Sequence, residues 1–208
     1  MKTVIVTGAS KGLGLWIAKF LEENYKVVSI SRSTGDYRGD ISDEAFVNET
    51  VKKICENHEV VGLVNCAQEG FFAMPKDIDE KAIDKCFKGL KGMMLMTAAI
   101  LREKEEDLRI VNILSTAALK GKKMESAYCA AKFGQRGYTE SLKEAYSGTS
   151  VKVNGVYVGG MDTGFWNLSR DYISEEKQST FMNPKDIARK IVDSYFIQGI
   201  DDDLEIKR

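Results

Sequence analysis

Residues 2–24 leave few architectures open. Lys2-Thr3-Val4-Ile5-Val6-Thr7-Gly8 is a short β-branched run, the pattern of a strand buried on both faces. It runs into Thr7-Gly8-Ala9-Ser10-Lys11-Gly12-Leu13-Gly14, and Leu15 to Asn24 then has helical periodicity. Strand, glycine loop and helix in that order make a dinucleotide site. The glycines allow a tight turn and close backbone approach to a pyrophosphate, which the helix N-terminus attracts. The glycine spacings of four and two differ from the commoner Gly-x-Gly-x-x-Gly pattern. A strand buried on both faces needs helices on both sides. The fold class is therefore α/β, a doubly wound parallel sheet in one domain over residues 1–208.

Chemistry enters at Tyr128 and Lys132. Four residues apart on a segment that reads as helix from Ser126 to Tyr146, they share one face. An ammonium beside a phenol favours the phenolate, and a tuned phenol can donate a proton to a carbonyl oxygen or take one from an alcohol. Of the eight tyrosines only Tyr128 has a lysine four residues on, so the pair is not an accident of composition. Ser115 stands thirteen residues upstream, at the C-terminal end of the strand predicted from Arg109 to Leu114. Ligands gather at such strand ends. There a hydroxyl can hydrogen-bond a substrate oxygen and steady its developing charge.

Thr-Gly-x-x-x-Gly-x-Gly at 7–14, Ser115 and Tyr128-x-x-x-Lys132 together resemble the short-chain dehydrogenase/reductase family, over essentially the whole chain. The resemblance implies a Rossmann-type fold and a catalytic set of Ser115, Tyr128 and Lys132. It also implies cofactor contacts from Gly8, Ser10, Lys11, Gly12, Leu13, Gly14, Ser31, Arg32, Asp40, Ile41, Asn65, Ala67, Tyr128, Lys132, Gly159, Met161 and Thr163. The second predicted strand, Lys26 to Ser31, ends at Arg32 with no acid. Arginine there accommodates a 2′-phosphate, and Lys11 adds a second cation, so NADP(H) is expected. Asp36 follows soon after and keeps NAD(H) as the alternative.

Asp40-Ile41-Ser42-Asp43 is similar to the family's short third strand and turn, with the helix before it trimmed. The family pattern is broken at four places, the first being Cys66, which replaces an asparagine in the Asn65-Cys66-Ala67-Gln68 stretch. Gln68 replaces a glycine beside the adenosine pocket, where it either narrows the pocket or hydrogen-bonds the cofactor. Val158 replaces a proline. Gly89 stands where the family has an asparagine that links the lysine to a proton relay. Residues 164–182 carry Phe165, Trp166, Leu168, Tyr172, Ile173 and Phe181, a mixture that suits either a lid over an apolar pocket or packed helices.

A formal net charge of −1 offers no broad electrostatic case for nucleic acid or an anionic membrane. One histidine and four cysteines without a Cys-x-x-Cys pair argue against a zinc site or a Ser-His-Asp triad. No apolar run approaches membrane-spanning length, and Met1 leads directly into the first strand; with free thiols this points to the cytoplasm. The expected function is an NADP(H)-dependent oxidoreductase working on a carbonyl or alcohol. Its expected partners are a small-molecule substrate and, by resemblance, one or three further copies of the chain, as a homodimer or homotetramer. The competing reading is an NADP(H)-binding sensor or interaction protein with weak catalysis, motivated by Gly89, Gln68 and Val158. Against it, a pure binder has no chemical reason to keep Ser115, Tyr128 and Lys132 together.

Overall fold

The computed structural model describes residues 1–165 and 179–207. β1 (Thr3–Thr7) is buried throughout, as a doubly covered strand must be. The other strands are β2 (Lys26–Ser31), β3 (Tyr37–Arg38), β4 (Val60–Asn65), β5 (Arg109–Ser115), β6 (Lys152–Val158) and β7 (Leu204–Ile206). They form a seven-stranded sheet in the order β3-β2-β1-β4-β5-β6-β7, and every pairing is parallel. The chain leaves β1 for β2 on one side and later crosses to β4 on the other. That reversal opens a crevice at the C-terminal ends of β1 and β4.

Among the described residues five α-helices cover the sheet: α1 (Gly12–Leu21), α2 (Glu44–Asn57), α3 (Glu80–Glu103), α4 (Ser126–Ala145) and α5 (Pro184–Val192). Alternation along the strands sorts the core into two layers. Val4, Val6, Val64 and Val111 pack with α1 and α5, and Ile5, Val28, Leu63 and Ile110 pack with α2, α3 and α4. Each fully buried aliphatic side chain contributes roughly 1.5–3 kcal/mol, which explains why the strands read as continuous apolar runs.

The third strand lies earlier than expected, at Tyr37–Arg38 rather than Asp40–Ile41. Residues 32–36 alone join β2 to β3, far fewer than a parallel crossover usually needs. The short return suffices because the strands pair only at Ile30–Tyr37 and Ser31–Arg38. Asp36 clasps it, accepting from the Ser29 amide at 2.8 Å and hydroxyl at 2.6 Å. Gly35 has φ +107°, and a Cβ there would lie 2.9 Å from Ser29 Oγ. The Asp40–Asp43 stretch instead leads into α2, whose first amides, Ala45 and Phe46, donate to Asp43. Asp79 caps α3 in the same way, its side chain accepting from the Ala82 amide.

α5 gives way at Asp193 to one wide π-helical turn ending at Ile197. Arg109 then pins the chain leading to β7, donating to Asn154 Oδ1 at 2.7 Å and the Ile200 carbonyl at 2.6 Å. Trp166, Leu168, Tyr172 and Ile173, with most of the expected lid, lie outside the described residues. Among the described residues no helix is long and apolar enough to cross a membrane.

Candidate active site

A cavity of about 920 Å³ opens along the C-terminal strand ends, as the crevice at the sheet reversal requires. Its floor at one end is the glycine loop. Gly8 and Gly12 hold φ of +72° and +59°, the left-handed region that favours glycine. A Cβ on Gly14 would stand 2.4 Å from the Gly8 carbonyl oxygen, and one on Gly8 would stand 2.8 Å from Ala67 Cα. Only bare backbone can close this turn. The N-cap residue of α1, Lys11, offers no side-chain acceptor to the first amides, whereas Asp43 and Asp79 cap α2 and α3. An uncapped helix start of ten residues facing a cavity over a glycine turn fits the pyrophosphate of a dinucleotide. Thr163 packs against the same turn, its Cγ2 lying 3.5 Å from where a Gly12 Cβ would be.

Beyond the glycine turn the cavity is walled by Ser31, Arg32, Asp40 and Ile41. Arg32 Nη2 donates to Glu69 Oε1 at 2.7 Å, so the cation reaches across the cavity wall to the segment after β4. Asp36 does not line the cavity, and its carboxylate is spent on Ser29. Burial pushes the Asp40 carboxyl up. The Ser42 amide and hydroxyl and the Lys88 ammonium outweigh burial and hold it at about 2.

At the other end β5 delivers Ser115, and α4 delivers Tyr128 and Lys132, all three lining the cavity. The Ser115 hydroxyl accepts from the Ala117 amide at 3.1 Å. Tyr128 packs within an aromatic group, its ring tilted against those of Phe72 and Phe165 with centroids 5.4 Å and 5.7 Å away. Burial pushes the Tyr128 phenol up, and the hydrogen bond with Ser115 pulls the other way. Lys132 Nζ lies 5.8 Å from the Tyr128 ring centroid. It donates to the Ile113 carbonyl at 3.1 Å and to Gln135 Oε1 at 2.7 Å. Burial drives this ammonium down to about 7, with the Cys66 thiol opposing. The phenol in this structure therefore sits above its ordinary range, where the sequence reading expected the lysine to lower it.

Of the residues expected at the site, Gly8, Ser10, Lys11, Gly12, Leu13, Gly14, Ser31, Arg32, Asp40, Ile41, Ala67, Gly159, Met161 and Thr163 line the same cavity as Ser115, Tyr128 and Lys132. Asn65 does not. It is buried between strands and donates to Asn112 Oδ1 at 2.9 Å and Thr97 Oγ1 at 3.1 Å, so it ties β4 to β5 and α3. Gln68 lines the cavity with its amide already engaged. Nε2 donates to the Cys86 carbonyl at 3.1 Å and to the Glu69 carbonyl, and Oε1 accepts from Gln135 Nε2 at 2.9 Å. Gln135 was missed by the sequence reading. Its signal was its place three residues after Lys132 on one helix face.

A family model described as short chain dehydrogenase matches residues 2–173. Sepiapterin reductase from Chlorobaculum tepidum is 30% identical over 221 residues, covering 92% of this chain and 89% of the relative. A solved short-chain dehydrogenase/reductase from Vibrio parahaemolyticus superposes with TM-score 0.85 at 25% identity, covering 99% of this chain and 96% of the other. A structure described as ElxO with NADP bound gives the same score, identity and coverages.

Proposed function

The chain belongs to the short chain dehydrogenase family, and on that premise we propose that it is an NADP(H)-dependent oxidoreductase interconverting a carbonyl compound and its alcohol. The observation that carries this reading is the convergence of Ser115, Tyr128 and Lys132 with the glycine turn in one cavity. Working as one domain, the chain binds the cofactor pyrophosphate on the start of α1. Arg32 and Lys11 take the 2′-phosphate, in keeping with the NADP-bound structure that the chain resembles. Asp36, the one acid that favoured NAD(H), is turned away onto Ser29.

Bound NADPH supplies a hydride to the substrate carbon. The protein's share is proton and position. Ser115 hydrogen-bonds the substrate oxygen and holds the Tyr128 phenol beside it. Burial favours the protonated form of that phenol, the form that donates to an oxygen gaining negative charge. Lys132 lines the cavity and donates to Ile113 and Gln135, so one N–H of its ammonium is left to take the cofactor ribose. Phe72 and Phe165 beside Tyr128, with Phe181 also lining the cavity, suit an apolar or aromatic carbonyl compound. Exposed Ile83, Phe87 and Met94 on α3 and Phe133 on α4 give an apolar face for self-association into a homodimer or homotetramer.

The test is oxidation of NADPH and NADH by the purified protein against aldehydes, ketones and quinones, with Tyr128→Phe beside it. NADPH-dependent turnover is expected, lost by roughly 10²–10⁴-fold in the variant, with NADPH affinity nearly unchanged. Equal turnover in both proteins removes Tyr128 from the chemistry.

A further inference from the structure

Lys132 and Gln135 are buried to 2% and 1% exposure, and each is tied to elements distant in sequence. An ammonium can only donate, so Gln135 must present Oε1 to Lys132, which turns its Nε2 outward. That nitrogen in turn requires an oxygen, and Gln68 Oε1 meets it at 2.9 Å. Gln68 then points Nε2 at the carbonyls of Cys86 and Glu69. Every amide in the chain is oriented by the charge at its end, and each bond polarises the next. A second arm fixes the same turn of α4: Thr139 Oγ1 donates to the Gln135 carbonyl at 2.7 Å and accepts from Asn112 Nδ2 at 3.0 Å.

Gly89 explains why Gln68 can lie where it does. A Cβ at Gly89 would sit 2.3 Å from Gln68 Oε1 and 2.7 Å from its Cδ. The glycine lies inside α3, where it costs about 1 kcal/mol against alanine. The helix thus carries a glycine where the Gln68 amide passes it.

We propose that Gln135 and Gln68 are positioning residues for Lys132, a two-amide strut from α4 across the loop after β4 to α3, with Gly89 as the notch that admits it. The strut sets where the ammonium stands beside the cofactor and Tyr128, and this part rests on the reading of Lys132 given above. A carbon chain in place of the Gln135 amide leaves a buried ammonium one acceptor short, which disfavours its charged form.

The experiment compares wild type, Gln135→Met, Gly89→Ala, Gln68→Gly and the Gly89→Ala/Gln68→Gly double variant. Lys132 is titrated by its side-chain ε-carbon NMR signal, and kcat and KM are measured against pH. The other titratable groups facing Lys132 are Tyr128 on its own helix and Cys66 at the end of β4. Gln135→Met is expected to lower the Lys132 midpoint by about one pH unit, the scale of a lost hydrogen bond to a charged group. The alkaline limb of kcat should move with it, and KM for the carbonyl should stay within about twofold while kcat falls about tenfold, the factor that one such unit represents. Gly89→Ala should lower Tm and kcat in the wild-type background, although alanine is the better helix former, and should add no further loss to Gln68→Gly. An unmoved Lys132 midpoint in Gln135→Met, or a Gly89→Ala penalty of the same size with and without Gln68, overturns the strut. The NMR titration needs no turnover. A midpoint that falls in Gln135→Met while Tyr128→Phe keeps full activity upholds the strut and overturns the catalytic reading instead.

Discussion

The two ends of the cavity are made of different materials. At the glycine turn the protein presents backbone, and the space is closed to within 2.4 Å of where a Gly14 Cβ would begin. At the reaction end it presents side chains that hold one another: Ser115 with Tyr128, Lys132 with Gln135, Gln135 with Gln68. A backbone site is specific for a shape that many chemistries share, here a pyrophosphate against a helix start. A side-chain site can be tuned, because each hydrogen bond shifts the proton affinity of its partner. The first end should fail sterically and the second electrostatically, and each substitution below asks whether that division holds.

Gly14→Ala should give the largest effect at the nucleotide end. The added methyl meets the Gly8 carbonyl oxygen, a backbone atom that cannot swing aside. Overpacking of this kind costs typically 1–3 kcal/mol, so NADPH affinity should fall about tenfold or more and Tm should fall with it. Isothermal titration and a thermal melt measure both. Unchanged affinity with a lowered Tm would mean that the turn serves the fold alone, and the contrast between the two ends would collapse.

Arg32→Ala should act more weakly and selectively. Arg32 is well exposed and paired with Glu69, so its removal leaves the turn untouched. Preference for NADPH over NADH should drop by roughly tenfold, the size of one charge-assisted phosphate contact, while NADH binding stays level. Glu69→Gln should change the preference in the opposite direction by a smaller factor, since an exposed ion pair contributes about 0–1 kcal/mol and its loss frees the guanidinium. Equal losses for both cofactors in Arg32→Ala would assign Arg32 to the wall and not to the phosphate.

The nucleotide end was readable from sequence because its determinants are local. Glycine spacing, a β-branched run and the helix after it lie within residues 2–24, and the strands announce themselves because both faces are buried. Tyr128 and Lys132 were readable for the same reason, being one helical turn apart. The strut was not. Its two glutamines are 67 positions apart, and the space between them exists only because α3 carries a glycine where its helix passes Gln68. Asn65 shows the reverse case. It ends a strand at the crevice, where a polar residue reads as a ligand contact, yet its side chain faces Asn112 on β5 and Thr97 on α3. Which way a strand-end residue points is set by register against β5, and register is a property of the pair. β3 was misplaced because its clasp, Asp36 on Ser29, is a tertiary bond across a loop that its residues do not advertise.

The smallest expected effect lies between the two ends, at Asp40. Its carboxyl is held at about 2 against an ordinary 3.8, because the Ser42 and Lys88 hydrogen bonds outweigh burial. An acid whose folded pKa is depressed binds its proton more weakly in the folded state, so ionisation favours folding. That contribution is complete above about pH 4 and disappears as the pH falls from there towards 2. Asp40 is partly exposed, so solvent screening keeps the effect below about 1 kcal/mol, or about 2–4 °C in Tm for a chain of this size. Wild type should therefore melt slightly above Asp40→Asn at pH 7, and the two curves should meet by about pH 2. A gap that persists at low pH would show that Asp40 holds the start of α2 through hydrogen bonds that survive protonation. The nucleotide end would then owe its shape to geometry alone, the steric character already found at the glycine turn.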